Sequence, residues 1–264
     1  MTLQRKRIAS RLMTDVIGQN LVVLERTGST NDVAKDLAQE GAPDGTVVVA
    51  DEQTAGRGRM DRRWIAPPET SILCSILFRP DLALEEANRV TMLTALAAAD
   101  AIEEVTALVP SLKWPNDLIV YNPNGWRKLA GLLTESGVDE GRLSFVVVGI
   151  GINVNVSESV LPNLAPDATS LQAETGHPQD RIPLLVALLE GVERRYEALW
   201  RGVNPHEEWG ARLETLGKRV CVPTAEGTLT GVAEAVDETG ALILRTDDGS
   251  CHRLLAGDVT LRQV

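Results

Sequence analysis

The run Gln53-Thr54-Ala55-Gly56-Arg57-Gly58-Arg59, with Arg62, Arg63 and Trp64 just beyond it, places four arginines within seven residues. Guanidinium forks match the paired oxygens of phosphates and carboxylates. Interleaved glycines let a backbone come close to a ligand and present its N–H groups. The chemistry predicted is anion binding on a loop, although a solvated basic loop fits the same residues. Lys113-Trp114-Pro115-Asn116-Asp117 follows. Its proline marks an edge, bulge or break in a strand-like run. Asn116 and Asp117 are placed to bond a ligand, to hold Mg²⁺ through oxygen, or simply to satisfy a turn. Lys128, in Arg127-Lys128-Leu129-Ala130-Gly131, opens an apolar strand and either reaches into a site at the sheet's end or is solvated. Gly149-Ile150-Gly151-Ile152-Asn153-Val154-Asn155 is a strand running into glycines, as close backbone approach or a β-bulge requires. No helix with a third glycine follows, so it is not a dinucleotide-binding fingerprint.

The elements that must position these residues can be read from periodicity and punctuation. Ile8, Leu12, Met13 and Val16 have helical spacing within the first twenty residues. A strand is predicted over 21–24. The N-cap candidates Ser29 to Asp32 open a helix ending near Gln39, and 47–50 forms a buried strand. The arginine loop occupies 53–68, a strand 71–78, and a long Ala-rich helix 85–107. Strand-like runs at 112–121, 128–136 and 143–153 are separated by short turns, which favours antiparallel pairing. Helices are predicted at 182–200 and 206–216. From Gly217 onward only short, glycine-punctuated strands remain, near 219–222, 228–236, 242–246, 252–255 and 259–262, as in a small all-β barrel.

Composition narrows the classes. A chain of 264 residues with net charge −11 is not a general nucleic-acid binder, because phosphate contacts need clustered Lys and Arg. Aromatics make up 3% and only Trp64 lies near the basic loop, which argues against an RNA-binding module built on base stacking. Cys74, Cys221 and Cys251 are few, odd in number and far apart, with no CxxC pair, so neither a zinc site nor a disulfide framework is expected. The basic N-terminus lacks a following apolar run and no stretch is long enough to span a membrane. The expectation is a soluble cytoplasmic protein.

Five segments taken in order are more specific than any one: Gly-Ser-Thr-Asn (28–31), Gln53 with Ala-Gly-Arg-Gly-Arg (55–59) and Trp64, Lys-Trp-Pro-Asn-Asp (113–117), Arg-Lys-Leu-Ala-Gly (127–131) and Gly-Ile-Asn (151–153). Together they closely resemble the motif series of biotin–protein ligases, also called biotin–[acetyl-CoA-carboxylase] ligases. The resemblance implies an α+β fold. Its catalytic domain (1–216) would be a mixed, largely antiparallel sheet with helices, related to class II synthetases and lipoate ligases. A small SH3-like β-barrel would form the C-terminal domain (217–264). It implies two steps: biotin and ATP give biotinyl-5′-AMP and pyrophosphate, then an acceptor lysine takes the biotin and releases AMP.

The resemblance places Ser29, Thr30, Asn31 and Gln53 at the biotin head group. Arg57, Gly58 and Arg59 would close over biotin and the adenylate. Lys128 would bridge the biotin carboxylate and the α-phosphate, and with Arg57 and Arg59 forms the implied catalytic set. Arg59, Arg62, Trp64, Asn116, Lys128 and Asn153 would contact the nucleotide, and Asp117 would hold Mg²⁺. The implied partner is the biotin carboxyl carrier domain of a carboxylase. Family members dimerise through the catalytic domain, so the resemblance allows a homodimer. Some members carry an N-terminal winged helix-turn-helix and bind operator DNA. About thirty residues precede the Ser-Thr-Asn motif here, so no operator binding is expected. One departure stands out: where well-known members read Arg-Gly-Arg after Arg59, this chain reads Met60-Asp61-Arg62. The alternative on the same fold is a lipoate– or octanoate–protein ligase, against which the Ala-Gly-Arg-Gly-Arg loop argues.

Overall fold

A computed structural model describes residues 2–123, 125–224, 227–255, 257 and 260–261. Helix α1 (Arg5–Ala9) leads to strand β1 (Leu21–Thr27), helix α2 (Thr30–Gln39), β2 (Val47–Gln53) and β3 (Ser71–Phe78). Helix α3 (Asn88–Thr106) precedes β4 (Ser111–Lys113), β5 (Asp117–Asn122), β6 (Gly125–Asp139) and β7 (Arg142–Asn153). These seven strands form one sheet in the order β1-β2-β3-β7-β6-β5-β4. Only β1–β2, joined by the α2 crossover, is a parallel pair; the other neighbours are antiparallel.

Two faces of this sheet have different fates. Ile72, Ile76, Val146, Val148, Ile150 and Ile152 alternate onto one face and pack into the main core with α3 and the later helix α6 (Arg181–Trp200). On the other face Val48, Leu77, Phe145 and Val147 are covered by Ala34 and Ala38 of α2. Further along that face β7 presents Gly149, Gly151 and Asn153. The floor there is bare, and the cavity described below opens over it.

Helices α4 (Leu161–Leu164) and α5 (Leu171–Thr175) lie between β7 and α6, and α7 (His206–Ala211) follows α6. The chain ends in β8 (Arg219–Thr224), β9 (Gly227–Val236), β10 (Leu242–Thr246), β11 (Cys251–Leu254) and β12 (Thr260–Leu261). They form an SH3-like antiparallel sheet in the order β11-β10-β9-β8-β12. The Trp114 indole, 1% exposed, donates to the Gly240 carbonyl at 3.0 Å and ties this sheet to the turn before β5.

Several boundaries differ from the sequence expectation for identifiable reasons. The first helix ends at Ala9, and Met13 is exposed rather than core-facing. The buried Glu193 carboxylate accepts from the N–H groups of Asp15, Val16 and Ile17 at 2.7–3.0 Å, which pulls that backbone out of helical bonding. The long helix starts only at Asn88, after a 3₁₀ turn at Leu84–Glu86. The predicted strand 112–121 is broken at the cis Trp114–Pro115 bond into β4 and β5. Helix 206–216 stops at Ala211 because Leu112 N donates to Arg212 O and Glu214 N to Leu112 O, so the chain there lies alongside β4.

Candidate active site

The bare half of the sheet floors a cavity of about 590 Å³. Across it runs one row of paired residues on adjacent strands: Leu73, Gly151, Gly131, Asp117 and Lys113. The two glycines of this row receive the indole of Trp64. A Cβ at Gly151 would stand 2.4 Å from Trp64 Cε2, and one at Gly131 3.2 Å from Trp64 Cζ3. Gly151, read as a close-approach position, thus forms with Gly131 a slot for an aromatic ring. Gly151→Ala is expected to displace that ring or cost about 1–3 kcal/mol of overpacking. Intrinsic fluorescence and thermal melting check this, and wild-type values for both would refute the slot.

Lys128 reaches the floor through a register shift. Leu118 pairs with Ala130 but Ile119 pairs with Lys128, so Leu129 is an extra residue on β6. In a regular strand residues 128 and 131 point to opposite faces. The bulge reverses that alternation, as bulges do. The Lys128 side chain consequently lies over Gly131, whose added Cβ would be 3.1 Å from Lys128 Cε. Its ammonium pairs with Asp117 Oδ1 at 2.6 Å and faces the Trp64 ring at 5.9 Å. A strap at 165–169 fixes its backbone: Lys128 N donates to Asp167 O at 2.6 Å and Thr169 N to Lys128 O at 2.9 Å. The same strap takes Asn153, whose Nδ2 donates to Thr169 O at 2.9 Å while its Oδ1 is buried without a partner among the described residues.

At the β3 side of the cavity Ser29, Thr30 and Asn31 are all buried. Ser29 occupies the N-cap of α2 without making a side-chain cap bond. Gln53 Oε1 accepts from Thr30 N at 2.7 Å and from Thr30 Oγ1 at 2.9 Å. Ser75 Oγ lies 2.7 Å from Thr30 Oγ1 and 2.6 Å from Asn31 Oδ1. Asn31 Nδ2 donates to Leu133 O and to Glu135 Oε2. Gly149 makes room for this amide, since a Cβ there would be 2.1 Å from Asn31 Oδ1.

The arginine loop folds back as a hairpin over the floor. Gly58 N donates to Arg62 O, Trp64 N to Gly56 O and Arg62 N to Arg59 O. Met60 and Asp61 at its tip have φ of 53° and 60°, as the two central residues of a type I′ turn require. Arg59 Nη1 donates to Asn116 Oδ1 at 3.3 Å, and Asn116 Nδ2 in turn donates to Leu132 O. Arg62 and Trp64 also line the cavity. Arg57 is turned elsewhere: its guanidinium takes both oxygens of Glu135, at 3.1 and 2.7 Å, and Asp32 Oδ1 at 2.6 Å. Lys35 completes this cluster at 2.7 Å from Glu135. Burial of Glu135 opposes its ionisation, but hydrogen bonds from Lys35, Asn31 and Arg57 outweigh that and hold its carboxyl below the usual range.

The structure thus brings Ser29, Thr30, Asn31, Gln53, Arg57, Gly58, Arg59, Arg62, Trp64, Asn116, Asp117, Lys128 and Asn153 to one cavity. Sequence reasoning missed Glu135, Trp126 and the 165–169 strap. Ser170, which accepts from Ala173 N at 3.1 Å, was the one legible cap signal near the strap. Cys74, in β3 at the cavity, packs with Ile72 and Ile76 in the main core, and burial pushes its thiol up to about 12, so it is no nucleophile at neutral pH. Among the described residues no group of three or more His, Cys, Asp or Glu side chains is arranged to hold a metal ion.

Residues 23–153 match the family model described as Biotin/lipoate A/B protein ligase family, and residues 215–262 the model described as Biotin protein ligase C terminal domain. The chain is 36% identical over 262 residues to the Bifunctional ligase/repressor BirA of Bacillus subtilis, covering 98% of this chain and 79% of that protein. It is 35% identical over 249 residues to the Biotin--[acetyl-CoA-carboxylase] ligase of Mycobacterium tuberculosis, covering 91% and 88%. The structure superposes on the biotin protein ligase from Aquifex aeolicus in complex with biotin and ATP with a TM-score of 0.73 and 29% identity, covering 93% of this chain and all of that one (100%).

Proposed function

The chain belongs to the biotin/lipoate A/B protein ligase family, and from that premise we propose how its cavity carries out the two half-reactions of protein biotinylation. It is an ATP-dependent biotin–protein ligase. The observation that carries the assignment of roles is the β6 bulge, which delivers Lys128 to the cavity floor beside Asp117. A carboxylate oxygen of biotin attacks the α-phosphorus of ATP. The bond to the bridging oxygen breaks, and pyrophosphate leaves with the electron pair. Two anions must meet in this step, and a fixed ammonium lowers their repulsion as charge redistributes. Lys128 suits that role, and Arg59, held by Asn116, lines the same cavity.

The buried polar set Ser29, Thr30, Asn31 and Gln53 suits the ureido ring of biotin, which offers both donors and an acceptor. Arg57, by contrast, acts on the loop: its bonds to Glu135 and Asp32 seat the hairpin while the backbone of Arg57 and Gly58 faces the ligand. Arg62, Trp64 and Asn153 fit nucleotide contacts. Asp117, next to the Asn116 amide, would hold Mg²⁺ when the ion enters with the nucleotide. When bound, the ion neutralises charge on the phosphates. In the second half-reaction the neutral amine of an acceptor lysine attacks the carbonyl carbon of the mixed anhydride. AMP leaves, and the amine proton passes to solvent. The acceptor is proposed to be the carrier domain of a biotin-dependent carboxylase.

Pyrophosphate release from ATP measured with biotin or with lipoate tests the substrate assignment. Biotin alone is expected to drive release, and lipoate-only turnover would refute it. Asp61 adds a negative charge and a strained φ at the loop tip. Asp61→Gly is expected to slow release of biotinyl-5′-AMP by roughly two- to fivefold, the scale of one exposed charge interaction. Stopped-flow release kinetics read this, and faster release in the variant contradicts it.

A further inference from the structure

We propose that Lys113 is the catalytic cation that receives the departing pyrophosphate, an inference that rests on the ligase reading above. Lys113 is only 8% exposed and lines the cavity. Its ammonium lies 4.6 Å from the ring centroid of Trp126. Among the described residues it has no carboxylate and no hydrogen-bond acceptor. The other cations of the cavity differ: Lys128 has Asp117, Arg57 has Glu135 and Asp32, Arg59 has Asn116, Arg63 has the Thr54 carbonyl, and Arg62 is engaged as well. An ammonium withdrawn from water without a counter-charge is strongly disfavoured, and an aromatic face compensates only part of that loss. Such a group is retained where a ligand supplies the missing anion.

Position identifies which anion. The row across the sheet reads Gly151, Gly131, Asp117, Lys113, each on the next strand. Lys128 stands over Gly131, and the Ser29–Asn31 end lies in the opposite direction, toward β3. If Lys128 joins the carboxylate to the α-phosphate, the cavity beyond it takes the rest of the nucleotide. An ammonium there with no counter-charge among the described residues favours the polyanionic β- and γ-phosphates over the uncharged adenosine. Charge grows on those phosphates as the bond to the α-phosphorus breaks, so Lys113 acts on the leaving group. The second half-reaction has no pyrophosphate and does not need it.

Lys113→Met keeps the buried stem and removes the charge. Its adenylation rate is expected to fall on the order of 10- to 100-fold, as when one charge-stabilising group is lost. The KM for ATP rises and inhibition by added pyrophosphate weakens. Transfer to the acceptor from supplied biotinyl-5′-AMP stays within about twofold, because that step lacks the leaving group. Lys113→Arg restores adenylation. Melting of Lys113→Met at or above the wild-type temperature is expected, since a buried charge without a counter-charge among the described residues has gone. Equal losses in both half-reactions, or unchanged adenylation, overturn the proposal. Wild-type protein without biotin-dependent pyrophosphate release overturns the ligase reading instead.

Discussion

Lys128→Ala is expected to lower biotinyl-5′-adenylate formation by about 10³-fold, the upper end for removing one electrostatic stabiliser of a transition state. The effect should fall on kcat rather than on biotin affinity, because the repulsion between carboxylate and α-phosphate peaks in the transition state. Stability is expected to change little. The ammonium is partly exposed, with 27% of its side chain accessible, and the strap bonds at its backbone survive. Asp117 loses its partner, so Lys128→Ala combined with Asp117→Asn should melt no lower than the lysine change alone. Single-turnover pyrophosphate release reads the first step. A residual rate within tenfold of wild type removes Lys128 from the role given to it.

Arg181→Ala should produce the largest loss of stability. The guanidinium is 2% exposed, donates to Asp51 Oδ1 at 2.7 Å and to the Ser71 carbonyl at 2.9 Å. Asp51 also accepts from Leu3 N at 3.1 Å. Truncating one member of a buried pair leaves the other charge uncompensated, which costs about 3–5 kcal/mol. For a chain of this size that corresponds to a fall in Tm of roughly 10 °C. Asp51 and Ser71 flank the arginine loop, so hydrogen exchange should rise first at residues 53–70. A Tm within 2 °C of wild type would show that the pair holds nothing.

What was legible in the sequence followed from physics that acts locally. Alternation in Ile150, Ile152 and their neighbours announced a strand with one apolar face. Proline at 115 announced a break. The glycine at 151 announced close approach, but not that the approaching group would be Trp64, which arrives from a segment far away in the chain. Arg57 shows the limit more sharply. Its type suggested an anion ligand, and its nearest anions turned out to be the protein's own Glu135 and Asp32. Glu135 sits in an ordinary alternating strand and nothing in its flanking residues marks it. The strap at 165–169 was unreadable for a similar reason: it has no periodicity, and the bonds that tie it to the site go to Lys128 and Asn153, distant in sequence. The early end of α1 likewise depended on Glu193, distant in sequence.

The extra residue at Leu129 makes the side on which Lys128 stands a matter of parity. Deleting it would leave every side chain of the site intact yet send Lys128 toward the helices, into a layer of isoleucines and leucines. The count of residues between the lysine and the glycine slot is therefore as binding a constraint as their identities. A library built on this strand tolerates substitutions at Leu129 by other apolar residues far better than any change of length. Grafting the lysine motif onto another β-scaffold succeeds only if the kink is carried with it.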